Sequence, residues 1–166
     1  MERRDKVNYY LDLAEMVSQR STCLRKHYGA VIVNNDEVIS TGYVGAPRGR
    51  KNCSDIGRCI REELHVPRGE RYELCRSVHA EANAVLNYRG SLKDLEGSTV
   101  YVTLFPCHDC AKILAQGGVG EVVYLDNKYA DTDDGRISRR ILDSCGISYR
   151  QVIVDVQIGT GGQARQ

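Results

Sequence analysis

An excess of charge of either sign is missing from these 166 residues: 23 Lys and Arg stand against 22 Asp and Glu, a formal net charge of +1. That balance argues against a general nucleic-acid or anionic-membrane binder, which needs a strong basic surplus. No apolar run approaches the roughly 20 residues of a membrane span. The opening stretch MERRDKVNYY is too polar for a secretory signal, so a cytoplasmic location is expected. Internal repeats and domain linkers are also absent. With 42% hydrophobic and 27% charged residues, the composition is that of one globular domain with a real core. That domain is expected over residues 1–158, with 159–166 (GTGGQARQ) as a flexible tail.

Cysteine, by contrast, is plentiful at seven. In a reducing compartment disulfides are not expected, and clustered thiols point to metal more than to packing as small hydrophobes. Periodicity predicts a helix over 5–19, where Val7, Tyr10, Leu11, Ala14 and Val17 recur at helical spacing. YGAVIVNNDEVISTGY reads as two strands around the turn Asn34-Asn35-Asp36. Helices at about 79–89, 108–116 and 136–144 then alternate with strands at 99–104, 121–125 and 147–154. Alternation of this kind implies a three-layer α/β/α sandwich. Residues 45–76 lack clear periodicity and read as a long ordered insertion, a length that usually signals function.

Two short motifs carry chemistry. In CRSVHAEANAVL, His79 and Glu81 stand two apart at the start of a helix; in TLFPCHDCAKIL, Cys107 and Cys110 stand three apart at the start of the next. Two residues of helix rotate by roughly 200°, so His79 and Glu81 should look away from each other on a helix wall. Beyond the N-terminal end of the helix, however, both can bend toward one point. Helix N-termini favour thiolates. One imidazole and two thiolates make a three-ligand Zn²⁺ site with a position left for water. Such a site is formally neutral and acidifies water weakly, which gives Glu81 work as proton carrier. A closed structural zinc with His108 as fourth ligand is the alternative; it leaves Glu81 without a role.

H-x-E followed by P-C-x-x-C is the signature of the zinc nucleobase deaminases, and here the chain resembles the zinc-dependent cytidine and deoxycytidylate deaminase superfamily. It is most similar to the dCMP deaminase branch, competence-associated proteins included. The resemblance spans VSQRSTC, GYVGAPRGRKNC, HAEANAV, PCHDCAK and VVYLDNKYAD. It implies a cytidine deaminase-like fold on a mixed five-stranded sheet, and hydrolysis of dCMP to dUMP and ammonia for thymidylate synthesis. It assigns His79, Cys107 and Cys110 to zinc, Glu81 to proton transfer and the Ala80 backbone to the pyrimidine edge. Asn83 fits the family pattern HAExNA. Val44 stands where the family usually has an Asn that contacts sugar and effector. A homo-oligomer (a hexamer), dCTP and dTTP as effectors with accompanying Mg²⁺, and no nucleic-acid or membrane partner complete the expectation.

The insertion holds eight Lys or Arg against five acids, concentrating positive charge that suits a phosphate, with Arg48 and Arg50 as candidate contacts. Tyr129 is the candidate for shaping the phosphate end of the pocket. Cys23, Cys53, Cys59 and Cys75 surround the insertion. Cys23 and Cys53 match the positions of a structural zinc in some relatives; Cys59 and Cys75 are inferred from number and place. Together they would make a closed tetrahedral second zinc site, in which His27 or His65 could replace one thiol. The competing functional readings are a deaminase of cytidine, guanine or tRNA adenosine, and a non-catalytic zinc protein of the same fold.

Overall fold

In the computed structural model, residues 2–153 are described. The expected 159–166 tail and the ends of the last strand and of the 1–158 domain lie outside them. Asp5 accepts a hydrogen bond from the Asn8 backbone and so starts helix α1, Lys6–Ser18. Strands β1 (Gly29–Asn34) and β2 (Glu37–Tyr43) pair antiparallel. Asn35 and Asp36, with φ of 49° and 65°, supply the two left-handed residues that a tight hairpin turn needs.

The insertion folds into two single-turn helices, α2 (Cys53–Ile56) and α3 (Ile60–Glu63), and a short 3₁₀ turn over Tyr72–Leu74. A backbone bridge between Gly45 and Val78 closes its base. Then follow α4 (Ala80–Asn87), β3 (Thr99–Leu104), α5 (His108–Gln116), β4 (Glu121–Asp126), α6 (Asp133–Ser144) and β5 (Ser148–Gln151).

The sheet runs β2-β1-β3-β4-β5. β1 is antiparallel to β2 and β3; β3, β4 and β5 are parallel, each joined to the next through a helix. The sheet is therefore mixed and five-stranded, as the resemblance implies. Alternate residues feed two cores. On one face Tyr10, Leu11 and Ala14 of α1 pack against Val31, Val33, Tyr101 and Val123. On the other Ala84, Ala111, Leu114 and Leu142 pack against Ile32, Val100, Val102 and Val122. Both faces of the central strands are covered, which makes three layers.

α4 ends at Asn87, two residues short of the expected 89, and two other boundaries differ by three. α6 begins at Asp133 rather than 136, because Thr132 caps it by accepting the Gly135 N–H and because Asp133 and Asp134 suit a helix N-terminus. The regular part of β5 ends at Gln151, although Val152 still donates to the Tyr124 carbonyl.

Candidate metal centre

The strands β3 and β4 end where α5 and α6 begin, and the site lies at that edge. Pro106 is buried at the turn from β3, and Cys107 is the N-cap of α5. Its Sγ accepts the Cys110 N–H, so the cap itself sets the thiol's direction. His79 occupies the equivalent place on α4 but makes no capping hydrogen bond, which leaves its ring free to turn outward. The two helices bring their first residues together: His79 Nδ1 lies 3.3 Å from Cys107 Sγ and 3.5 Å from Cys110 Sγ. These ligand atoms all lie within 4.8 Å of one another.

What positions α4 is a close backbone approach. A Cβ on Gly42 of β2 would come within 2.2 Å of the Ala80 carbonyl oxygen and the Ala84 nitrogen. Ser40 ties the helix down further by donating to the Ala84 carbonyl. Asn83 donates to the carbonyls of Tyr43 (2.7 Å) and Val78 (3.4 Å), fastening the turn before the helix to the end of β2.

The charges fit a metal. Cys107 is pulled down to about 4, because the Cys110 thiol donates to it and His79 stands against it. Cys110 is raised well above an ordinary thiol, since it holds the proton shared with Cys107 in a buried place. His79 is raised to about 9, chiefly by its hydrogen bond with Cys107. A divalent cation among these three donors would take the place of those protons. Glu81 is buried and raised by desolvation, and Oε2 lies 3.5 Å from Cys110 Sγ. One imidazole and two thiols with a carboxyl beside them are the donor set of an open zinc site. His79 as a residue is exposed, so the site lies at the surface.

His108 points elsewhere. Its Nδ1 pairs with Asp134 on the first turn of α6 and its Nε2 lies 3.2 Å from Asp109. It clamps α6 to α5 rather than joining the trio. That clamp went unrecognised in the sequence, although the acid-rich DTDDG stretch was its signal.

Ala80 and Val44 are buried in the same core cluster as Cys23, next to the centre. Arg48 is not brought there. It is exposed and donates to Asn87 at the far end of α4, about 12 Å along the helix from His79. Arg50 is likewise exposed on the surface turn. Arg61, counted in the basic insertion, is 7% exposed and spends its charge internally, donating to the carbonyls of Pro67 and Glu70 and stacking on Tyr72.

Cys23, Cys53 and Cys59 are buried and Cys75 partly so. Cys53 is raised by burial and then by Cys23, Cys59 and Cys75, so the four thiols share one neighbourhood. Their sulfurs are spread more widely than the trio: among the described residues, only His79, Cys107 and Cys110 form a group of three donors within 4.8 Å.

An α/β sandwich with an imidazole and two thiols gathered on paired helix starts defines a zinc-binding class of protein. The profile described as "Cytidine and deoxycytidylate deaminase zinc-binding region" matches residues 4–126. Among curated relatives, the deoxycytidylate deaminase of Pongo abelii is 35% identical over 146 residues, 87% of this chain and 78% of that one. The deoxycytidylate deaminase of Mycobacterium phage D29 is 42% identical over 128 residues, 75% of this chain and 97% of the phage protein. The crystal structure of the cyanophage S-TIM5 dCMP deaminase with dCMP and dUMP is similar at a TM-score of 0.66 and 28% identity, covering 91% of this chain and 100% of that one. This chain belongs to the cytidine and deoxycytidylate deaminase family.

Proposed function

We propose that this protein is a dCMP deaminase, a single-domain zinc hydrolase that converts dCMP and water to dUMP and ammonia. The observation that carries it is the buried Glu81 carboxyl set against a His79-Cys107-Cys110 donor group. His79, Cys107 and Cys110 would hold a zinc ion, which when bound would supply Lewis-acid activation of water. Glu81 accepts a proton from the attacking water on a carboxylate oxygen. It returns that proton to the pyrimidine ring nitrogen and then carries the second proton, from the added hydroxyl, to the amino group, which leaves as ammonia as the ring carbonyl forms. Its desolvated position supports this, because a raised carboxyl is ready to hold a proton between the two transfers. His79 makes no capping hydrogen bond to the start of α4, which leaves the Ala80 amide to meet the pyrimidine edge. Asn83 fixes that helix start, and Val44 walls the pocket with an apolar surface.

The finer parts of the proposal rest on sequence and resemblance. They are a second, structural zinc among Cys23, Cys53, Cys59 and Cys75, dCTP and dTTP as effectors with Mg²⁺, a homohexamer, and a cytoplasmic location. The shared neighbourhood of the four thiols supports the second zinc. Its binding must draw their sulfurs closer together.

Ammonia release from dCMP, cytidine, dCTP and guanine tests the substrate. The proposal expects dCMP to have the highest kcat/KM of the four. Preference for another of them would overturn it.

A further inference from the structure

The place of a cysteine sulfur relative to the chain around it is set by φ and ψ at its Cα and by χ1 of its side chain. At Cys107 all of these are held without help from a metal, and α6, a helix that offers no ligand to the site, does much of the holding. The Pro106 carbonyl and the Cys107 nitrogen belong to one planar peptide unit. Ser138 Oγ donates to that carbonyl at 2.8 Å, from a position on α6 with no exposure to solvent. On the other side of the Cys107 Cα, the next peptide unit ends in the His108 N–H. Asp134 Oδ1 lies 3.5 Å from that nitrogen and also pairs with His108 Nδ1. The side-chain torsion is set within α5, where Cys107 Sγ accepts the Cys110 N–H.

The sequence of α6 suits it to this task. Asp134 and Ser138 stand four apart and so share one face of the helix. That face meets the β3–α5 turn, in which Pro106 is buried. The start of α6 is itself fixed. Thr132 caps it, and a Cβ on Gly135 would come within 2.4 Å of the Tyr129 and Ala130 carbonyl oxygens. The turn is also tied to β4, through the Phe105 N–H that donates to the Asp126 carbonyl. That bond lies ahead of the proline ring, which locks only φ of Pro106. The plane of the peptide that follows is still set by ψ of Pro106, and Ser138 holds it.

Resting on the zinc site of the proposed function, we infer that Ser138 and Asp134 are positioning residues for the metal. Through Pro106 and His108 they hold Cys107 Sγ where it meets His79 and Cys110 before a Zn²⁺ ion arrives. A ligand already in place loses little freedom on binding, so the ion is held more tightly. Groups that orient a metal's ligands from behind are typically worth about tenfold to a hundredfold in metal affinity.

The test is zinc per chain, measured across solutions of buffered free Zn²⁺, in wild type and variants whose folding is checked by thermal melting. The ion that Cys107→Ala fails to bind is the one at issue. Ser138→Ala and Asp134→Ala should each raise the free Zn²⁺ needed to half-fill that site about tenfold to a hundredfold. Asp134→Asn keeps an oxygen acceptor for His108 and should stay near wild type. Ser98→Ala is the control for general loosening: Ser98 is also buried and donates to the Leu95 carbonyl at 2.7 Å, but it precedes β3 at the end away from the site. It should lower the melting temperature as Ser138→Ala does and leave zinc affinity unchanged. Wild-type zinc affinity in Ser138→Ala and Asp134→Ala, or an equal loss in Ser98→Ala, would overturn the inference. If wild type and Cys107→Ala hold the same zinc, the underlying zinc reading fails and the inference with it.

Discussion

Replacing Glu81 by Gln keeps the side chain's shape and removes its capacity to carry a proton. Turnover of dCMP should fall by roughly 10² to 10⁴ in kcat. Zinc should stay bound at the wild-type level, because His79, Cys107 and Cys110 remain. Steady-state rates beside metal analysis check both halves, and a variant retaining more than about a tenth of wild-type kcat contradicts the role. Tyr10 makes a second test at this scale. Burial first, and then its hydrogen bond to Asp36, raise the hydroxyl from an ordinary value of 10 to about 12. Between those values the folded chain keeps a proton that the unfolded chain has lost. Stability from this group is therefore complete below pH 10 and drains away as pH rises toward 12. Chemical denaturation across that window should show a steeper loss in wild type than in Tyr10→Phe. The metal trio and Glu81 were legible in sequence because each sits in a short motif at a helix start. The contact between Lys26 and Tyr129 was not, because it spans 103 positions and only the folded sheet edge brings the two together.

The elements follow the hydrophobic pattern where burial dictates it. β3 spans Thr99–Leu104, as its apolar run predicts, and α1 and α5 lie within a residue of their expected bounds. The pattern runs out at caps and in the insertion. Thr132 moved the start of α6 by three residues through one side-chain hydrogen bond, a signal that carries no periodicity. The insertion is organised by the polar reach of Arg61 and by the Gly45–Val78 bridge rather than by an apolar stripe. α4 depends on its backbone contact with β2, which Gly42→Ala tests. The added methyl meets backbone at 2.2 Å, so the helix must move. Overpacking of this kind costs about 1–3 kcal/mol, and a shift near 1 Å at the reacting groups costs about 10² in rate. Thermal melting and kcat should both fall, with activity falling more than stability. Unchanged activity would show that the close packing does not set the position of His79 and Glu81.

At the scale of the whole molecule, the three-layer architecture was legible from alternating strands and helices, and the mixed sheet from the resemblance. The strand order emerges only from pairing, which places β1 between β2 and β3. Zinc content is the property of the whole chain that the cysteines bear on. With a second site at Cys23, Cys53, Cys59 and Cys75, freshly purified active protein should hold two zinc ions per chain. Cys53→Ser should then lower both the count and the melting temperature while the catalytic zinc remains. One zinc in fully active protein would remove that part of the proposal.

The most direct test of the central claim is turnover of dCMP by the zinc-loaded protein in oxygen-18 water, followed by mass spectrometry of the product. Hydrolytic deamination predicts dUMP carrying one oxygen-18 on the pyrimidine, released together with an equal amount of ammonia. Failure to form dUMP, or dUMP without the label, would contradict it.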